Sequence, residues 1–295
     1  MAKELRGVLT ALPTPFTVDD DIDAQLMKRV VDRNINAGVD ALVVGGGTGE
    51  YTSLTNAERR QIFDIVIEHT AGRVPVVAHT GSLTTREAVD LSRAAEAAGA
   101  DVLMLITPYY EPLTDTEISR YVETVAGSVD IPIMLYNNPG VTGVNLGAEG
   151  IARFGREIDN IEYVKDSSHD WEQALRLIHH HSQDIKLIMG WDSFSFSALT
   201  EGATGIMAGA ANVVPDEIVA VVRAIREGDL HRARDEWLRV FPVIDAMMAI
   251  PFTQAVKAGL RLQGEPIGSP RAPLDDLDAE AEASLKAALD TLNHA

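Results

Sequence analysis

Two apolar runs in this chain end on residues that can do chemistry. IEYVK (161–165) closes on Lys165, followed at once by Asp166, Ser167 and Ser168, and IPIMLY (131–136) closes on Tyr136. A buried, unpaired ammonium is costly, so either this side chain reaches back to water or its amine is wanted inside. An amine withdrawn from water gives up its proton more readily. It can then add to a carbonyl and form a Schiff base. The iminium draws electrons from the neighbouring carbon, which permits proton loss or carbon–carbon cleavage with neither metal nor cofactor. A phenol nearby can carry the proton that such steps move. Position alone leaves a second account of each residue: a lysine paired with Asp166, and a packed tyrosine whose hydroxyl is satisfied.

Other run ends carry candidate ligands. GGGTGE (45–50) places Gly47, Thr48 and Gly49 together. Glycines let backbone N–H groups converge on an anion, Thr48 adds a hydroxyl, and a carboxylate is a natural guest. A tight turn is the plainer account, and the spacing matches neither nucleotide-binding glycine pattern. His79 ends VPVVAH, where it either lines a cavity or makes a structural hydrogen bond. Asn138, Ser167, Gly190, Asp192 and Met207 complete the set of candidate binding positions. The run His179–His181 falls at a helix end ahead of an apolar run, which reads as a solvated helix terminus and not a metal site. No cluster of carboxylates at the run ends suits magnesium.

These residues need elements to position them. Eight short runs, apolar at nearly every position, begin at residues 7, 41, 74, 101, 131, 161, 185 and 204. Such runs suit parallel strands covered on both faces. Amphipathic stretches lie between them. Thr55, Thr84 and Thr114 each stand three residues before a glutamate, the capping-box pattern. Ala-Gly at 37–38 and 98–99 marks helix ends. The pattern predicts an α/β fold, a closed (β/α)8 or TIM barrel over 1–226 with a C-terminal helical appendage over 227–295. A doubly wound open sheet is the alternative, and eight regular units favour closure. Barrel active sites lie at the C-terminal ends of the strands, where Lys165 and Tyr136 fall.

Bulk properties narrow the function classes. A net charge of −19 over 295 residues repels nucleic acid and anionic membranes. The absence of cysteine rules out disulfides, thiolate nucleophiles and iron–sulfur clusters. No apolar run reaches the ~18 residues of a membrane helix, and MAKELRG lacks an apolar signal core, so a cytoplasmic protein is expected.

Taken jointly, GGTGE (46–50), TPYY (107–110), LYNNPG (135–140), YVKDSS (163–168) and GATGIMAGAANVVP (202–215) make the chain resemble the dihydrodipicolinate synthase / N-acetylneuraminate lyase family of lysine-dependent barrel enzymes. The resemblance covers essentially the whole chain. It implies Lys165 as the Schiff-base lysine and Tyr136 as the acid–base phenol, with Thr48 and loop amides on a 2-oxo acid carboxylate. It also implies that Tyr110 reaches into a neighbouring subunit's site within a homotetramer, a dimer of dimers. Two positions depart from the synthase pattern. Gly47 stands where the first of two adjacent threonines relays a proton between tyrosines, and Val141 stands where an arginine binds the second substrate's carboxylate. Losing such a charge-assisted contact weakens discrimination for that substrate. The loop looks more like that of keto-deoxy sugar acid aldolases and dehydratases, a likeness that implies Asn137, Asn138, Ser167 and Asp192 as hydrogen-bonding partners of a polyol tail, with a structural part for each as the alternative. The expected activity is therefore aldol cleavage or condensation, or dehydration, of a 2-oxo acid. Condensation of pyruvate with aspartate semialdehyde, as in 4-hydroxy-tetrahydrodipicolinate synthase, is the alternative, and a non-catalytic metabolite-binding barrel is a third reading.

Overall fold

Eight parallel strands close on themselves in chain order: β1 (Gly7–Ala11), β2 (Ala41–Val44), β3 (Val76–His79), β4 (Val102–Ile106), β5 (Ile133–Asn137), β6 (Ile161–Asp166), β7 (Lys186–Met189) and β8 (Gly205–Ala208), with β8 pairing back to β1. The computed structural model describes residues 4–294. All eight expected runs are strands, so the chain is a closed (β/α)8 barrel and not an open sheet.

Side chains alternate between the two faces of each strand. Ala41, Val43, Val77, Met104 and Met134 pack into the barrel interior, whereas Leu42, Val44, Ala78, Leu103 and Leu135 pack under the surrounding helices. Both faces are covered, which explains why the strands read as unbroken apolar runs.

The expected helix signals act much as the pattern predicts. Thr55 and Thr114 each form a reciprocal capping box with Glu58 and Glu117. Thr84 accepts from the Glu87 amide, but the Glu87 carboxylate turns to the Ser82 hydroxyl at 2.9 Å, so the return half of that box is missing. Gly38 and Gly99 end their helices at φ 93° and 96°, a conformation that penalises a Cβ.

Beyond the helix Pro215–Arg226, the chain runs into Leu230–Met248, Phe252–Leu262 and Ala279–His294. These helices do more than cover the barrel. Lys257 reaches back to Glu50 of the glycine-rich loop at 2.6 Å, and both side chains are fully buried. The second Glu50 oxygen accepts the Arg271 amide at 2.8 Å, and the Lys257 ammonium donates to the Ser269 carbonyl at 2.9 Å. Arg271 itself bonds the Ser53 carbonyl and pairs with Glu58. The GEPIGSPRAP stretch, a spacer by composition, is therefore strapped across the loop that carries Thr48. Burial holds the Lys257 ammonium below its usual range, and the attraction of Glu50 offsets only part of that.

Breaking a buried pair on one side leaves the other charge stranded. Lys257→Met is expected to lower unfolding stability by about 3–5 kcal/mol, and the double variant Glu50→Gln/Lys257→Met to recover part of it. Denaturant titration of the two variants checks this; a single variant as stable as the parent would mean that the pair contributes nothing.

Candidate active site

Lys165 and Tyr136 are direct neighbours across the β5–β6 pairing. The register slips between Ile133 and Met134: Ile133 pairs with Ile161 but Met134 with Tyr163, so Glu162 is an extra residue on β6. Such a bulge shifts every later pair by one position. Without it Tyr136 would face Val164, whose side chain points outward under the helices. With it, two inward-pointing residues meet, and the Lys165 ammonium lies 4.0 Å from the centre of the Tyr136 ring.

Both residues open onto a cavity of about 490 Å³ at the C-terminal ends of the strands. Gly47, Thr48, Asn138, Ser167, Gly190, Asp192 and Met207 line it as well. Lys165 is 8% exposed, and among the described residues no carboxylate comes within 4.0 Å of its nitrogen. Asp166, the obvious partner by sequence, is engaged elsewhere. Its oxygens accept from Asn137 Nδ2 at 2.7 Å, Ser168 Oγ at 2.9 Å and Gln173 Nε2 at 3.1 Å. Gly190 is required for the path of the lysine: a Cβ there would come within 2.8 Å of Lys165 Cε and 2.3 Å of Ser167 Oγ.

Asn138 Nδ2 donates to the Tyr136 hydroxyl at 3.0 Å. Burial by itself would push this phenol up. The Lys165 ammonium, with hydrogen bonds from Asn138, Lys165 and Ser167, outweighs burial and holds it below the usual tyrosine range. Asp192 shows the opposite balance. Burial pushes its carboxyl up to about 6, although the Gly209 and Ala210 amides and Lys165 favour the ionised form. The Thr48 hydroxyl and the amides of residues 47–49 find no intramolecular acceptor among the described residues, and a Cβ on Gly47 would meet nothing within 4 Å. Of these, Gly47 and Thr48 line the cavity, so the loop offers it free donors.

Four expected positions lie elsewhere. His79 is fully buried behind Tyr136, its ring 6.5 Å away and edge-on, with Arg59 Nη2 3.2 Å from its Nδ1. Burial and the neighbouring Arg59 and Lys165 cations hold it neutral, well below the usual histidine range. Its part is structural: a histidine ending a strand can be sealed by the next layer of packing, here Tyr51 at 4.4 Å. Gly49 does not line the cavity; it packs against the Leu12 carbonyl, which a Cβ would approach to 3.1 Å. Tyr110 is 82% exposed and stands outside this chain's own cavity. Asn137 also lies outside it, committed to Asp166. His179 faces Glu201 at 3.1 Å and His181 faces Asp184 at 3.4 Å, on the surface ahead of β7.

The cavity also has a wall that the run-end argument misses. Val141, Trp191, Met248, Ile250, Phe252 and Thr253 line it. The last four come from the C-terminal helices and the link between two of them, so the region beyond 226 contributes to the site. In the sequence MMAIPF reads as the end of an amphipathic helix followed by a proline stop, with no signal that it faces a cavity.

Comparison with known proteins agrees with this geometry. The dihydrodipicolinate synthetase family model matches residues 4–292. The 4-hydroxy-tetrahydrodipicolinate synthase 1 of Halalkalibacterium halodurans is 37% identical over 282 residues, which span 96% of this chain and 95% of that one. A crystal structure of dihydrodipicolinate synthase superposes with a TM-score of 0.94 at 34% identity, covering 98% of this chain and 99% of its own. YagE, a prophage protein of the dihydrodipicolinic acid synthase family from E. coli K12 solved in complex with pyruvate, superposes with a TM-score of 0.94 at 31% identity, covering 98% of each chain. With the barrel, the strand-end lysine and the beside-lying tyrosine in place, the chain belongs to the dihydrodipicolinate synthetase family and is an enzyme of the Schiff-base lyase class.

Proposed function

We propose that Lys165 forms a Schiff base with the carbonyl of a 2-oxo acid, pyruvate in the first instance, and that the enamine derived from it makes or breaks a carbon–carbon bond to an aldehyde. The observation that carries this reading is the Lys165 amine, open to a cavity of about 490 Å³ beside Tyr136 and with no carboxylate clamping it. A relative solved with pyruvate supports the choice of acid.

The steps follow from the groups present. Tyr136, whose phenol ionises more easily than an ordinary tyrosine, takes a proton from the Lys165 ammonium. The free amine attacks the carbonyl carbon of the 2-oxo acid; Tyr136 returns the first proton to the oxygen and then relays a second from the nitrogen, so that the oxygen leaves as water and the iminium remains. Loss of a proton from the methyl carbon then gives the enamine. The Thr48 hydroxyl and the free amides of Gly47 and Thr48 hold the carboxylate, using the donors left open in the loop. Gly47 offers no hydroxyl for a relay to a second tyrosine, so Tyr136 exchanges its proton with substrate or with water in the open space at that position. In the same reading the enzyme is cytoplasmic and a homotetramer. The exposed Tyr110, on the loop after β4, is available to a partner subunit.

The test is chemical trapping. Incubation with pyruvate and borohydride, followed by intact-mass measurement, is expected to show one added pyruvyl group per chain, mapped to Lys165. An unchanged mass sinks the reading.

A further inference from the structure

Building on that Schiff-base reading, we propose that the second reactant is an aldehyde with an uncharged, apolar tail, aromatic or branched aliphatic, seated against Val141, Trp191, Met248, Ile250 and Phe252.

The cavity has space for it. A volume of about 490 Å³ would hold roughly sixteen waters at ~30 Å³ each, far more than the six heavy atoms of pyruvate occupy. The walls of this extra space are chemically lopsided. The strand ends and their loops supply the polar groups around Lys165. Trp191, which follows β7, Val141, which follows β5, and Met248, Ile250 and Phe252 of the C-terminal helices and the link between them supply apolar surface, with Thr253 as the polar exception. Phe252 is seated firmly, since its ring edge fills the space where a Cβ on Gly209 would lie, 2.3 Å away.

Charge points the same way. Among the described residues the only cation lining the cavity is Lys165 itself, and its nitrogen is uncharged in the enamine that meets the second reactant; no arginine, histidine or second lysine lines the wall. His169, with its ring centre 3.4 Å from that of Trp191, and His79, behind Tyr136, do not line the cavity. Among the described residues the only carboxylate lining the cavity is Asp192, and Tyr136 is the one further ionisable group; neither is a cation. A carboxylate on the incoming aldehyde would therefore be desolvated with no counter-charge and beside a like charge, an arrangement that is strongly unfavourable. A polyhydroxylated tail gains little either. Asn138 is spent on the Tyr136 hydroxyl, Ser167 donates to the Gly190 carbonyl at 2.9 Å, and Asp192 accepts the Gly209 and Ala210 amides. An apolar tail displaces water from Trp191 and Phe252 and leaves these bonds intact.

The bond chemistry balances without another reagent. The methyl-derived carbon of the enamine attacks the aldehyde carbon, whose oxygen takes up a proton and becomes a hydroxyl. Water then hydrolyses the iminium, which frees the Lys165 amine and releases a 4-hydroxy-2-oxo acid. The reverse sequence cleaves that product.

The test offers pyruvate with benzaldehyde, isovaleraldehyde, glyceraldehyde and succinic semialdehyde in parallel, with mass spectrometric detection of the hydroxy-oxo acid and borohydride trapping by pyruvate alone as a separate measurement. The expected result is a kcat/KM for benzaldehyde or isovaleraldehyde about tenfold or more above the other two. Val141→Arg, which brings a cation to the wall, is expected to raise turnover of succinic semialdehyde and lower that of benzaldehyde. Intact trapping with a preference for succinic semialdehyde or glyceraldehyde, or with turnover of none of the four, overturns this proposal and leaves the Schiff-base reading standing. Failure of trapping itself removes both.

Discussion

Lys165→Met is expected to eliminate the borohydride-trapped adduct and to lower aldol turnover on the order of 10⁴-fold or more, to the level of background, as removal of a covalent nucleophile does. The fold should not suffer. Lys165 is 8% exposed and has no carboxylate partner within 4.0 Å among the described residues, so an apolar side chain of similar length removes a buried cation and strands no counter-charge. The melting temperature is expected to hold or rise. That split separates loss of chemistry from loss of structure. Lys165→Arg sharpens it further: the guanidinium keeps a cation near the Tyr136 ring but does not deprotonate at working pH, so this variant should bind pyruvate reversibly and form no adduct. An adduct that persists in either variant, mapped to another lysine, would overturn the assignment.

Tyr136→Phe is expected to reduce turnover by about 10²–10⁴-fold, the range associated with a positioned acid–base group, while pyruvate is still trapped, though more slowly. The pH profile gives a readout that a packing role would not move. The Tyr136 phenol is held below the usual tyrosine range by Lys165 and by hydrogen bonds from Asn138, Lys165 and Ser167, against the opposing effect of burial. If its ionised form accepts the lysine proton, the rate climbs with pH through that lowered value and levels off above it. Removing the hydroxyl should abolish that limb and leave a flatter profile. A Tyr136→Phe enzyme with the same limb would assign the titration to another group, with Asp192 as the next candidate at about 6.

The fold was largely legible because parallel strands covered on both faces need continuous apolar runs, and because threonine caps and terminal glycines have local physical causes. Strand ends shifted by only a residue or two: the run at 74–79 became Val76–His79, and IPIMLY gained Asn137. The site was legible in part for the same reason, since a barrel presents its strand ends at one face. His79 and Gly49 show the limit of that argument. Both stand at strand or loop ends, yet Tyr51 and Arg59 cover one and the Leu12 carbonyl crowds the other. Whether an end residue faces the cavity or the layer behind it depends on side chains distant in sequence.

The amino-acid sequence by itself determined that an amine and a phenol end adjacent strands of a closed barrel, that a glycine-rich loop stands near them, and that Val141 brings no charge. Tertiary structure alone decided the rest. The extra residue at Glu162 slips β6 by one position, so that Lys165 and not Val164 meets Tyr136. Asn137, Ser168 and Gln173 occupy Asp166 and leave the lysine unclamped. The helices beyond residue 226 bring Lys257 under Glu50 and Phe252 against Gly209. Periodicity and spacing are local properties of a chain. Register and counter-charge are set by packing between neighbouring units of the barrel, as between β5 and β6, and the far wall by segments more than a hundred residues apart, as Glu50 and Lys257 are; no local pattern encodes which of those segments will meet.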